Sequence, residues 1–360
     1  MNRFLGTLVL ALVLGVGSIT AQQPAAKPLP IVYVLSTGGT IAGAGSSATD
    51  LSNYKSGSIL GEQLVKAVPQ IAQLADVRVE QIVNVRSSDL TIDHWLTLTR
   101  RIDAILKQTP TVAGFVITSG TNTLEETAYF LHLTVRSDKP VVVVGSMRPS
   151  TAISADGPLN LLNAVRTAIA PESRGKGGLI VMNDEINAAR DTTKTNTLRV
   201  ETFRAPELGI LGYVDEDRIS YYRTTTKRHT SRSEFDVTNL TSLPKVTVLY
   251  SYIEPDPGLI QAAIKGGAKG IVFAGTGNGT LSIFESNAVK DIQAMPAAVR
   301  PVLVRSSRVG NGRVTPTTEF DAMDIVASDT LNPQKARILL MLALTKTSDL
   351  NEIRRMFSEY

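Results

Sequence analysis

The stretch Ile31-Val32-Tyr33-Val34-Leu35-Ser36-Thr37-Gly38-Gly39-Thr40-Ile41-Ala42-Gly43 carries the signal on which the fold turns. Its first five residues form an unbroken apolar run, too short for a helix and without the alternation of a strand wetted on one face. Such a run is expected of a strand buried on both faces of a parallel sheet. It stops at hydroxyls and paired glycines, so the strand delivers a polar loop at its carboxyl end, where open α/β sheets bind ligands. Runs of the same kind return at residues 79–85, 114–118, 141–144 and 179–182. Helical periodicity fills residues 91–107, 123–135 and 158–170, the last with Pro158 just inside its start, where the missing N–H is no loss. This alternation predicts an α/β fold, with a larger N-terminal, doubly wound, mostly parallel sheet domain over residues 31–222. Polar residues dominate residues 223–243, the expected interdomain linker. A smaller α/β C-terminal domain follows over residues 244–360, with strands at 246–250, 270–274 and 302–305 and helices at 257–265, 286–294 and 333–345.

The 360 residues suffice for two domains, and a 43% hydrophobic fraction with 5% aromatics fits a soluble globular protein. The 37 Lys and Arg against 33 Asp and Glu leave a charge of +4 spread over a large surface, which speaks against a nucleic-acid partner. The most basic cluster, Lys227, Arg228 and His229 with Arg223 and Arg232, has no aromatic interleaving and reads as a solvated stretch. Residues 1–21 read as an export signal: Arg3, then an apolar run over residues 4–16, then mostly small residues up to Ala21. Cleavage near Ala21 would leave Gln22 first, followed by a Pro- and Ala-rich spacer to residue 30, and would deliver the protein to the periplasm or medium. No later run approaches the ~20 apolar residues of a membrane span. The chain has no cysteine, which excludes disulfides, thiol nucleophiles and thiolate metal sites.

Two strand ends carry hydroxyls beside glycine. After residues 31–35 come Gly38, Gly39 and Thr40; after residues 114–118 come Ser119, Gly120, Thr121, Asn122 and Thr123. The first loop is either a glycine turn with a buried threonine or a turn that brings Thr40 against main-chain donors in a cleft. It is no phosphate loop, since GxGxxG is absent. The second is either a capped helix start, with Asn122 or Thr121 as N-cap and Glu125 and Glu126 on the helix dipole, or a site where free N–H groups and Thr121 hold a carboxylate or an oxyanion. A threonine nucleophile needs a base. His94 and His132 fall inside helices and His229 in the linker, where structural roles are expected. Lys194 and Tyr54 remain as bases whose spacing from the threonines decides nothing.

Together these segments resemble the bacterial type II L-asparaginases, including the glutaminase-asparaginases. The resemblance rests on eight segments in order: 37–43 (TGGTIAG), 52–54 (SNY), 120–135, 144–150 (VGSMRPS), 154–165, 190–197 (RDTTKTNT), 304–309 and 330–337 (TLNPQKAR). It implies hydrolysis of the asparagine side-chain amide without metal or organic cofactor. Thr40 would be the nucleophile, Tyr54 its activating partner on a mobile flap, and Thr121 with Lys194 a second polar pair near the attacked carbonyl. Ser87 would hold the substrate carboxylate, with Gly39, Gly120, Ser88 and Asn122 around the substrate. Glu254 and Glu319 would complete the site from a neighbouring subunit of a homotetramer. Three positions depart from the pattern: Asn122 stands where the family has Asp, Ser119 where it has His, and Ser88 where others carry Gln or Glu. Glu319 aligns only across a gap. Three other readings stay open: a broader glutaminase-asparaginase, an amino-acid-binding homologue with weak or no turnover, and a tRNA-directed amidotransferase subunit, which the export signal opposes.

Overall fold

In chain order the first lobe runs β1 (Ile31–Gly38), a flap hairpin of β2 (Ala44–Gly45) and β3 (Tyr54–Lys55), α1 (Gly61–Lys66), β4 (Asp76–Val85) and α2 (Ile92–Gln108). It continues with β5 (Val112–Thr118), α3 (Leu124–Thr134), β6 (Val141–Val144), α4 (Gly157–Ile169), β7 (Gly178–Met182) and β8 (Glu185–Ala188). A hairpin of β9 (Thr193–Lys194) and β10 (Phe203–Arg204) follows, then β11 (Gly212–Val214) and β12 (Ile219–Tyr221). The computed structural model describes residues 28–360, so the export signal expected at residues 1–21 lies outside the described residues.

Eight strands form one sheet in the order β12-β11-β8-β7-β6-β5-β1-β4. The strands from β4 through β7 in that order pair in parallel, while β8, β11 and β12 are antiparallel additions. The reversal at β8 comes from Asn183 and Asp184, a two-residue turn with both φ in the left-handed region (54° and 63°). Asn and Asp tolerate that region, and such a turn joins antiparallel strands directly. The sheet is doubly wound as expected. Val32 and Val34 of β1 pack with Leu64 of α1 and Leu161 and Val165 of α4, while Tyr33 and Leu35 face Trp95 and Leu98 of α2 and Leu131 of α3. Each fully buried aliphatic side chain contributes about 1.5–3 kcal/mol, so the alternating faces of one strand hold both helical layers. The apolar run at residues 79–85 predicts a strand buried on both faces. Here β4 is instead the sheet edge, its residues half-buried or exposed, because only β1 flanks it.

The second lobe holds β13 (Val246–Tyr250), α5 (Gly258–Lys265), β14 (Gly270–Gly275), α6 (Ile283–Gln293), β15 (Val302–Ser307), α7 (Thr318–Asp321) and β16 (Ile325–Ala327). It ends with α8 (Pro333–Ala343) and α9 (Leu350–Glu359). Its four strands pair in parallel in sequence order. Helix α6 starts three residues before the expected 286, because Ser282 and Glu285 form a capping box. Strand β16 and helix α9 escaped the periodicity reading. Helix α8 packs on α3, and its Ile338 and Leu339 share one apolar cluster with Phe130 and Leu131, so the core runs continuously between the lobes.

The stretch 223–243 is polar but not freely solvated, contrary to expectation. His229, Thr230, Phe235 and Val237 are buried, and Lys227 and Arg228 pair with Asp329 and with Glu234 and Glu359. The His229 and His132 rings lie 5.1 Å apart and both are buried, and burial pushes the His229 imidazole down to about 4. Among the described residues no helix is long and apolar enough to cross a membrane.

Candidate active site

Strands β4, β1 and β5 lie side by side, so their carboxyl-end loops emerge together. At the centre, Gly39 and Gly120 touch through their backbones: a Cβ on Gly39 would sit 2.1 Å from the Gly120 nitrogen, and one on Gly120 would sit 2.7 Å from Ser87 Oγ. Gly38 and Gly39 adopt φ of 94° and 85°, a region L side chains avoid. The Gly39 N–H donates to Val85 O at 3.0 Å, which ties the loop back to the end of β4. Thr40 and Thr121, each following one of the touching glycines, are therefore brought to one place and are both buried.

Tyr54 reaches Thr40 from the flap. Its hydroxyl lies 2.8 Å from Thr40 Oγ1, and either oxygen can donate. The β2–β3 pairing sets this reach by placing Tyr54 opposite Gly45. A Cβ on Gly43 would meet the Tyr54 ring at 2.8 Å, so that glycine makes room for the ring. Lys194, on β9, donates from Nζ to Thr121 Oγ1 at 3.0 Å and to Asn122 Oδ1 at 3.1 Å. Burial lowers its pKa from the ordinary lysine value, and the nearby Glu125 carboxylate partly offsets that.

An ammonium only donates, so Thr121 keeps its own hydroxyl hydrogen free, and the Asn122 amide must turn its oxygen to Lys194 and its NH2 away. Ser87 is fixed in the same manner. Its Oγ accepts the Asn122 backbone N–H at 3.1 Å and its carbonyl accepts Thr123 Oγ1 at 2.7 Å, which leaves the Ser87 hydroxyl hydrogen to offer. This corrects the capping expectation at α3. Neither Asn122 nor Thr121 is the N-cap; Thr123 is, without a side-chain cap bond, because its hydroxyl is drawn to Ser87.

The structure thus gathers Thr40, Tyr54, Thr121, Lys194, Asn122, Ser87, Gly39 and Gly120. Ser88 is exposed, and its hydroxyl donates to Asp89 Oδ1 at 3.3 Å. Glu254, in the loop after β13, and Glu319, on α7, are exposed, and among the described residues neither is hydrogen-bonded to the gathered side chains. Among the described residues no group of three or more His, Asp or Glu is arranged to hold a metal ion. In the sequence Glu125 stands out only as a first-turn charge on the helix dipole. It is buried and accepts from Thr193, Asn332 and Gln334, a role that nothing in local spacing signals.

Residues 31–227 match the family model "Asparaginase, N-terminal", and residues 245–357 match "Glutaminase/Asparaginase C-terminal domain". The chain is 50% identical over 345 residues to L-asparaginase 2 of Bacillus subtilis, covering 96% of this chain and 90% of that one. It is 45% identical over 355 residues to a protein named probable periplasmic L-asparaginase from Haemophilus influenzae, covering 98% and 99%. A solved structure titled probable cytoplasmic L-asparaginase from Campylobacter jejuni superposes with a TM-score of 0.89 at 44% identity, over 92% of this chain and 100% of that one. With both family models matched in order and relatives aligned almost end to end, the chain belongs to the asparaginase family.

Proposed function

We propose that the protein hydrolyses the side-chain amide of L-asparagine to L-aspartate and ammonia, with Thr40 as nucleophile and an acyl-enzyme as intermediate. The observation that carries this reading is the pair of threonine hydroxyls flanking the Gly39–Gly120 contact, each bonded to a different proton-handling group, Tyr54 and Lys194. Thr40 Oγ1 attacks the amide carbon while its proton passes to Tyr54 Oη, and Tyr54 gives its own proton to the amide nitrogen. The C–N bond breaks, ammonia leaves and Thr40 carries an ester. Thr121, accepting from Lys194, donates its free hydrogen to the carbonyl oxygen as charge develops there. Water then attacks the ester, which releases aspartate and restores Thr40. The free Ser87 hydrogen suits the substrate carboxylate.

Glutamine, one methylene longer, fits the same chemistry, and the family model of the C-terminal lobe is described for both amides. The ratio of ammonia released from the two substrates separates these readings. Two features bear on assembly and location. Tyr250, Ile253 and Val309 are exposed apolar side chains of the second lobe, and Tyr250 and Val309 line a cavity of about 750 Å³ that also holds Lys194. They support a homotetramer in which Glu254 and Glu319 act on a neighbour's site. The charged, apolar and small-residue order of residues 1–21 supports export to the periplasm or medium.

Thr40→Ala is expected to abolish ammonia release, by roughly 10³-fold or more, with an unchanged circular dichroism spectrum. Undiminished turnover would remove Thr40 from its role. Asn122→Asp is expected to raise kcat/KM for asparagine. A charge-assisted hydrogen bond is worth about 1.5–3 kcal/mol, roughly ten- to a hundredfold. A fall instead would mean that the site is built around the amide. Native mass spectrometry of protein recovered from the exported fraction is expected to show four chains, each beginning near Gln22. Monomers, or chains retaining Met1, would contradict the assembly or the export.

A further inference from the structure

Glu125 sits in the first turn of α3, four residues after Thr121, with 6% of its surface exposed. A carboxylate so buried needs hydrogen-bonded partners, and it has them from two directions. Oε1 accepts from Thr193 Oγ1 at 3.1 Å and from Gln334 Nε2 at 3.2 Å; Oε2 accepts from Asn332 Nδ2 at 3.2 Å and lies 3.7 Å from Lys335 Nζ. Lys335, on α8 and 1% exposed, also donates to the carbonyls of Arg190, at 2.9 Å, and Thr192. Arg190 is anchored in turn to the Tyr360 carbonyl at 3.0 Å and to Thr330 Oγ1 at 2.7 Å.

Residues 190–193 are thus clamped between the start of α3 and the start of α8, and the next residue is Lys194. Replacing a buried ion pair by apolar side chains is often neutral or stabilising, so the Glu125–Lys335 pair is poorly explained as a source of stability. The charges around Lys194 narrow its purpose. Asn122, its direct partner, is neutral. Glu126 lies beside Arg337, Arg308 also lines the cavity, and Asp191 is bonded to Arg190. Glu125, which accepts from the Thr193 hydroxyl next to Lys194 in the chain at 3.1 Å, carries a charge that favours the Lys194 ammonium.

We propose that Glu125, held by Lys335, is the positioning residue of the Thr121–Lys194 pair. Through Thr193 it sets where the lysine backbone lies, and it supplies the counter-charge that Asn122 does not. The proposal rests on the reading of Lys194 as part of an amide-hydrolysing site. It also makes the second lobe, through Asn332, Gln334 and Lys335, part of the support of a site built on the first.

The test uses the full mature protein and two readouts. One is kcat and KM for asparagine across pH. The other is the pH dependence of acetic anhydride labelling of Lys194, followed by peptide mass spectrometry, which needs no turnover. Removing the carboxylate takes away a charge that favours the ammonium. Glu125→Gln is therefore expected to move the Lys194 labelling midpoint, and the matching limb of the kcat profile, to lower pH. It should also lower kcat roughly ten- to a hundredfold, the scale of a misplacement of about 1 Å, with KM near wild type. Thr193→Ala should lower kcat and Thr193→Ser restore it; this pair decides the matter if Glu125→Gln fails to fold. A folded Glu125→Gln with unchanged midpoint and kcat, or Thr193→Ala equal to Thr193→Ser, would overturn the proposal. Absence of ammonia release by the wild-type protein would instead overturn the amide-hydrolysis reading, while the labelling still judges Glu125.

Discussion

Two backbones meet at Gly39 and Gly120 so closely that neither residue can carry a side chain, and the geometry of the site follows from that contact. In a parallel sheet every strand ends at the same edge, and β4, β1 and β5 are consecutive neighbours there. Their loops would otherwise splay apart around side chains. With glycine at the contact, Thr40 and Thr121 flank a single point, and Ser87 closes it from the β4 side. Left-handed φ at Gly38 and Gly39 makes the turn possible, so the first loop answers to backbone conformation and close approach at once.

Around that contact the hydrogen bonds are directional. Tyr54 and Thr40 share a bond that either oxygen can donate, which suits a proton in transit. Lys194 can only donate, and so its two bonds dictate which atoms of Thr121 and Asn122 face the cleft. With an amide at position 122, among the described residues no carboxylate is hydrogen-bonded to the lysine, and the buried Glu125 is the carboxylate whose charge favours its ammonium. On the proposed reading, the electrostatics of the second pair rest on a network that reaches into α8 through Asn332, Gln334 and Lys335.

The extent to which this was legible in the sequence varies by element. Strand β1 announces itself because both faces are buried and every residue from 31 to 35 is apolar; β4 is legible as a strand but not as an edge, although Arg78, Glu80 and Gln81 in its pattern mark the wetter position. The antiparallel strand β8 hides behind Asn183-Asp184, a turn whose left-handed conformation was not recognised. Helix α3 is readable by period, but its cap is not, because the polar residues before it serve Ser87 and Lys194 rather than the helix end. Glycine and hydroxyl at two strand ends pointed to Thr40 and Thr121. Tyr54 and Lys194 stand out in the sequence as candidate bases, but only the resemblance attaches them to those threonines, since no local pattern states that a flap or a distant hairpin folds back onto those loops. Glu125 was visible as a residue and invisible as a role, because its partners lie more than sixty residues away in the chain.

The most direct test of the central claim is the covalent state of Thr40 during turnover. Mature protein mixed with asparagine and quenched in acid within milliseconds, then digested and analysed by mass spectrometry, should carry an aspartyl ester on Thr40 and on no other residue. Protein that releases ammonia while the peptide containing Thr40 stays unmodified, or that carries the ester on Thr121, would contradict it.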